Sequence, residues 1–92
     1  IKMVVKRNKL EIIKDILNLI NKNHNLIKYT PLLRQSNISS SRFKEYYIEL
    51  LKKDFVKEVH QKREKFVSLT EKGFKFLEKY EVIVNFIEEF EL

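Results

Sequence analysis

Residues 30–53, Thr-Pro-Leu-Leu-Arg-Gln-Ser-Asn-Ile-Ser-Ser-Ser-Arg-Phe-Lys-Glu-Tyr-Tyr-Ile-Glu-Leu-Leu-Lys-Lys, constrain the fold more than any other stretch of the chain. They predict a short helix, a tight turn and a longer helix. Thr30 suits an N-cap, accepting from free backbone N–H groups, and Pro31 suits the first helical position, where its missing N–H is not needed. Leu32 and Leu33 give the short helix its buried side. Asn37 tolerates the left-handed backbone that stops it, and Ile38 plugs the turn. Ser39 offers a second N-cap. From there Phe43, Tyr46, Tyr47, Leu50 and Leu51 recur at the spacing of one helical face. Ser40, Ser41, Lys44, Glu45, Ile48 and Lys52 fall on or near the opposite side. That side reads either as solvated surface or as a surface that grips a partner, and the helix alone does not separate the two.

Ninety-two residues with a 43% apolar share make one small domain with a single core. Cysteine is absent, which removes disulfides and thiolate metal sites and leans toward the cytosol. No run approaches the roughly 18 apolar residues of a membrane span, and the start, Ile1 to Arg7, carries too short an apolar stretch for a secretory leader. The net charge of +6 fits a polyanionic partner. It must be discounted, because a chain with no Ala, one Gly and 15 Lys has the residue usage that an AT-rich genome imposes. Distribution is better evidence than the total. Residues 1–69 balance at +9 and residues 70–92 at −3, so the basic groups sit with the helical pair and the acidic ones in the tail.

Residues 1–7, with Lys2, Lys6 and Arg7, read as a basic arm. Asn8 and Glu11 form a capping box, and Leu10, Ile12, Ile13, Ile16, Leu17, Leu19 and Ile20 carry a helix to about Lys22. Asn21 to Asn25 is turn chemistry. Leu26 and Ile27 read as a very short strand or as a linker. After Asp54, Phe55 to His60 and Lys65 to Leu69 are strand-like, with Gln61 to Glu64 as the tip of a hairpin. The tip lacks Gly, so a longer loop is expected rather than a two-residue turn. Two strands alone are marginal, so they must lean on the helices or take a third strand from Leu26 and Ile27. Thr70 caps a last helix, with Glu71 near its positive end. Gly73 in its first turn costs about 1 kcal/mol relative to Ala, so a packing reason, such as close approach to another backbone, is expected there. Phe76, Tyr80, Ile83, Ile87 and Phe90 then run at 4-3-4-3 spacing, widened by Leu77 and Val84. A helix of about 30 Å results, and its distal half outruns a small core.

Ile38-Ser39, Phe43, Tyr46-Tyr47, Leu50, Asp54-Phe55-Val56 and Leu69-Thr70-Glu71-Lys72-Gly73 together resemble the small archaeal winged helix-turn-helix proteins. The nearest likeness is to the chromatin-associated, dimeric DNA-binding proteins of about ten kilodaltons, which pair through a C-terminal helix. The resemblance covers nearly the whole chain from Asn8 onward. It implies a mainly α fold with a small β-hairpin wing (α+β) and a long C-terminal dimerisation helix. The divisions expected are an arm at 1–7, a winged helix-turn-helix domain at 8–72 and a C-terminal helix at 73–92. The resemblance further implies that the helix of about 39–53 enters the major groove and that the wing, about 60–65, lies on the backbone. Two departures stand out. Asp54 occupies a place where such proteins often have Gly, and must take the helix-ending conformation with more strain. The last helix reaches only Leu92, which implies a shortened coiled coil.

The residues expected to contact double-stranded DNA are Ser39, Ser40, Ser41, Arg42 and Lys44 on the second helix and Lys62, Arg63 and Lys65 on the wing. Hydroxyls and helix N-terminal N–H groups suit phosphate oxygens, and Lys44 can reach guanine acceptors or phosphate. Glu45 and Glu49 fit this poorly. Glu45 either accepts from a cytosine amine or pairs with a nearby cation. Tyr46 and Tyr47 belong to packing. The residues expected to pair two copies are Phe76, Tyr80, Ile83, Val84, Ile87 and Phe90. His24 and His60 are isolated, with no ligand spacing, so no metal is expected. No nucleophile with a base beside it and no Gly-rich phosphate loop is visible, and neither catalysis nor a cofactor is expected. Three functions remain open: a DNA-binding regulator or chromatin-associated protein of the nucleoid, a winged helix used for protein assembly through Ile48 and the aromatic tail, and a regulator that takes a small molecule at its dimer interface.

Overall fold

The computed structural model describes residues 8–92. Its elements are α1 (Lys9–Lys22), α2 (Tyr29–Ser36), α3 (Ser40–Lys52), β1 (Val56–Gln61), β2 (Glu64–Leu69) and α4 (Glu71–Glu89). The Asn8 side chain accepts from the Glu11 N–H at 2.8 Å, and Glu11 accepts from the Asn8 N–H at 3.1 Å. The capping box is thus complete, and two N–H groups that α1 cannot satisfy internally are paired. From there Ile12, Ile13, Ile16, Leu17 and Ile20 form a buried stripe that runs under the rest of the domain. At the far end the Asn23 side chain donates to the Leu19 carbonyl at 2.7 Å, and His24 and Asn25 turn left-handed.

α2 departs from expectation at its start. Tyr29 is already helical, Lys28 holds the cap position without a side-chain bond, and Thr30 is not the N-cap. Pro31 therefore lies at the third helical position, still inside the turn where its missing N–H breaks no bond. The reason is tertiary. Tyr29 packs edge-on against Phe43 (5.2 Å between ring centres) and Tyr47 (5.0 Å), which draws it into the first turn. The other end follows the sequence reading: Asn37 is left-handed at φ 61°, and Ile38 packs half-buried on the core.

The end of α3 is closed by a Schellman motif in which the Phe55 N–H donates to the Leu50 carbonyl (2.9 Å) and the Asp54 N–H to that of Leu51 (3.1 Å). Asp54 takes the left-handed position at φ 64° that Gly commonly fills. Residues from the start of α4 latch this corner. The Thr70 hydroxyl donates to the Asp54 carbonyl (2.5 Å), the Thr70 N–H to that of Phe55 (3.1 Å), and the Lys72 ammonium to that of Lys53 (2.8 Å). A Cβ on Gly73 would overlap the Phe55 carbonyl oxygen, so this corner also explains the glycine. The Thr-Glu-Lys-Gly run thus works as one device, supplying three donors and one gap.

β1 and β2 pair antiparallel with Val56 opposite Leu69 and Gln61 opposite Glu64. Ile27 and Val67 exchange N–H···O bonds of 3.2 and 2.7 Å, so of the two readings open for Leu26 and Ile27 the strand is formed, as a single bridge. The Asn25 side chain accepts from the Leu69 N–H at 2.7 Å. Val56, Val67 and Leu69 face inward to join the α1 stripe, Leu32, Phe43 and Leu50 in one core. Phe76 and Leu77 of α4 cover its rim half-buried, and the rest of α4 extends a molecule measuring 50 × 27 × 22 Å.

Candidate nucleic-acid interface

The core sets which way α3 faces. Phe43, Tyr47 and Leu50 are buried, and Phe43 and Tyr47 stack at 6.0 Å. Ser40, Ser41, Arg42, Lys44, Glu45, Ile48 and Lys52 are all exposed. The Ser39 hydroxyl accepts from the Arg42 N–H at 3.3 Å and lies 3.5 Å from that of Ser41, so it is occupied in capping α3. The Arg42 guanidinium lies 5.9 Å from the Tyr46 ring centre. Lys44 and Lys52 have no partner among the described residues.

Carboxylates on this flank are treated unequally. Glu49 receives both Lys9 and Lys53 at 2.8 Å, and these hydrogen bonds, from Lys53 first and Lys9 second, hold its carboxyl below the usual range. Glu58 on β1 accepts from the Tyr47 hydroxyl at 2.6 Å and lies 3.5 Å from Lys65. That hydroxyl lowers the Glu58 pKa, while burial, and then the carboxylate, push the Tyr47 phenol up. The pair pins the wing to the back of α3. Glu64 is held by Lys28, whose ammonium also sits 5.8 Å from the Phe66 ring centre. Glu45, the carboxylate on the outer face of α3, has no partner among the described residues. The charge pairing open to it is not formed there.

The wing tip corrects the loop reading. Lys62 (φ 49°) and Arg63 (φ 67°) are both left-handed between the paired Gln61 and Glu64, a two-residue type I′ turn built without Gly. Strand twist selects this turn, because its mirror forms would splay the two strands. Left-handed backbone costs about 1–2 kcal/mol per non-Gly residue. Lys62 and Arg63 are exposed and have no partner among the described residues. Lys65, by contrast, points to Glu58 and is not a free cation of the tip. The sequence reading also missed Lys28, since a brace between α2 and β2 leaves no local pattern.

Along α4, Phe76 meets Phe55 (5.4 Å) and Tyr80 (6.2 Å). Val84 is half-buried, while Ile83, Ile87 and Phe90 are 57%, 42% and 58% exposed. Leu10, Phe76, Lys79, Tyr80 and Ile83 line an apolar depression between α1 and α4. Lys6 and Arg7 lie outside the described residues. Among the described residues no cluster of His, Asp and Glu suits a metal ion, and no helix is long and apolar enough to cross a membrane.

Three helices on a core, a pinned hairpin beside the third and a trailing helix define a winged-helix fold of the α+β class. Residues 6–88 match the family model described as winged helix-turn-helix, and the chain belongs to that family. Among solved structures it is similar to F93 from STIV, a winged-helix DNA-binding protein, at 20% identity and TM-score 0.72, covering 86% of this chain and 91% of that one. It is likewise similar to Sso10a-2, a DNA-binding protein from Sulfolobus solfataricus, at 21% identity and TM-score 0.72, covering 92% and 86%. SSV1 F-93 superposes at TM-score 0.66 with 24% identity, covering 87% and 88%. These likenesses carry the fold. No curated protein matches in sequence.

Proposed function

We propose that this chain binds double-stranded DNA, as a transcription regulator or a chromatin-associated protein of the nucleoid, with α3 in the major groove and the wing tip on the backbone. One observation carries the reading. Glu49, Glu58 and Glu64 on the α3 and wing flank are each engaged by a lysine, while Lys44, Lys62 and Arg63 are left unpaired among the described residues. A flank that neutralises these carboxylates internally presents net positive charge outward, which suits a polyanion. Ser40 and Ser41 stand exposed at the start of α3, where hydroxyls suit phosphate oxygens. Two of the solved structures similar to this one are described as DNA-binding proteins, which supports the same reading.

The working unit in this proposal is a homodimer paired through residues 73–92. Ile83, Ile87 and Phe90 form a continuous exposed apolar seam, which an isolated chain seldom keeps in water. Two α3 helices related by a two-fold axis would then address major grooves about 34 Å apart. Neither a cofactor nor a metal enters this reading.

Anisotropy titration of a labelled duplex at several salt concentrations tests it. The logarithm of affinity should fall with the logarithm of salt at about −0.9 per neutralised phosphate. The Lys44→Ala, Arg63→Ala double variant should flatten that slope by about two phosphates, and a Lys14→Ala, Lys79→Ala control should not. Salt-independent association, or none with any duplex, defeats the proposal.

A further inference from the structure

The outer face of α3 is a poor design for a clamp that grips phosphates alone. Ser41, Glu45, Ile48 and Lys52 follow one another at 4-3-4 spacing, so they share one stripe, and all four are exposed. Two of them work against simple phosphate binding. Glu45 carries a charge that repels phosphate and is paired with no group among the described residues, whereas Glu49 one turn on is held by two lysines. Arg42, placed to pair with Glu45 across one turn, has its guanidinium by the Tyr46 ring instead. Ile48 is 42% exposed in the middle of the stripe, although the core beneath α3 is already filled by Phe43, Tyr47 and Leu50. An aliphatic side chain makes no use of a phosphate. It does suit the 5-methyl group of thymine, and a carboxylate suits the N4 amine of cytosine.

We infer that α3 reads sequence, with Glu45 accepting from a cytosine amine and Ile48 packing on a thymine methyl, both in the major groove. This rests on the DNA-binding reading above. The spacing agrees with the assignment. Three helical residues rise about 4.5 Å, close to the roughly 3.4 Å between stacked bases, so the two side chains meet neighbouring base pairs. Lys44 and Lys52, which flank the pair on the same helix, supply the sequence-independent attraction that offsets the Glu45 charge.

Selection of the full chain against a random duplex library, followed by anisotropy at one fixed salt concentration, tests the inference. The selected site should carry a cytosine and a thymine on neighbouring base pairs. Replacing that thymine by deoxyuridine, which removes only the methyl group, should weaken binding about fourfold. The penalty should vanish in Ile48→Ala. Glu45→Ala should bind scrambled duplex more tightly than the parent, and its preference for the selected site should drop about tenfold. Both side chains are exposed, so both variants should keep the parental circular dichroism. Salt-dependent binding with no consensus overturns the inference and leaves the DNA-binding reading standing. Absence of binding to any duplex removes both. An Ile48→Ala protein whose duplex affinities are all unchanged overturns it in favour of a face that docks protein.

Discussion

Phe76 and Phe90 stand two heptads apart in one repeat along α4, and their surroundings differ. Phe76 is half-buried, ring to ring with Phe55 at 5.4 Å, while Phe90 is 58% exposed and its ring contact among the described residues is with Phe86, four residues back. The head of the molecule and its distal helix are thus built on different terms. In the head, most large apolar residues are covered by the chain itself, and Leu10 and Ile48 stay exposed on an otherwise polar surface. In the distal half of α4 the pattern is equally regular, yet among the described residues Ile83, Ile87 and Phe90 stay exposed along it. A heptad seam therefore encodes that a helix will have a buried side without encoding whose atoms bury it.

The largest effect expected from that contrast lies in the core. Phe43→Ala should destabilise the fold by about 3–5 kcal/mol by opening a cavity against Tyr29 and Tyr47, read by urea denaturation. The paired Ile83→Asp, Ile87→Asp variant should keep the circular dichroism of the head and sediment as a monomer. A distal variant that unfolds the head would erase the distinction between the two regions. At the joint between them, Gly73→Ala should cost about 1–3 kcal/mol, because the new methyl group must push the Phe55 carbonyl aside.

The wing tip sharpens the contrast from the other direction. Lys62→Asn with Arg63→Gly should stabilise the head by about 1–2 kcal/mol, since Asn-Gly adopts the type I′ turn with little strain. The same change should weaken duplex binding and flatten its salt slope. Higher stability with unchanged binding would show that the strained tip is not kept for its cations.

The smallest effect concerns the link between wing and helix. Tyr47→Phe should cost about 1 kcal/mol and loosen the hairpin, detectable as faster amide exchange in β1. The Glu58 pKa is lowered in the fold, so its contribution is present above the ordinary value of 4.5 and is lost as pH falls below it. The Tyr47 phenol is raised, so its share is present below 10 and is lost as pH climbs beyond that. Acid titration of Tyr47→Phe should show a shallower loss of stability than the parent.

The elements of the head were legible because their signals are local. Asn8 with Glu11, Ser39 and Thr70 each mark a helix end through a bond made three residues away, and Asn37 marks one through its own left-handed backbone. A packing reason for Gly73, with close backbone approach as one form of it, could also be read, though not its partner, Phe55. Glu45, Ile48 and the cations were legible as an outer face for the same periodic reason. Three features were not. The start of α2 moved to Tyr29, the wing tip closed on Lys62 and Arg63 alone, and Lys65 was drawn to Glu58. In each case a contact across the fold outweighed a local preference of about 1–2 kcal/mol.

By itself, then, the order of residues determined where helices and strands form and which side of each is apolar, since those depend on spacing along one element. Tertiary structure decided which polar groups are used up and which stay free. Glu49 gains Lys9 of α1 beside its local partner Lys53, Glu58 gains the Tyr47 hydroxyl of α3, and Glu45 gains neither, because such pairing depends on what another element brings within about 3 Å. That distance is set by packing, which no local stretch of sequence contains.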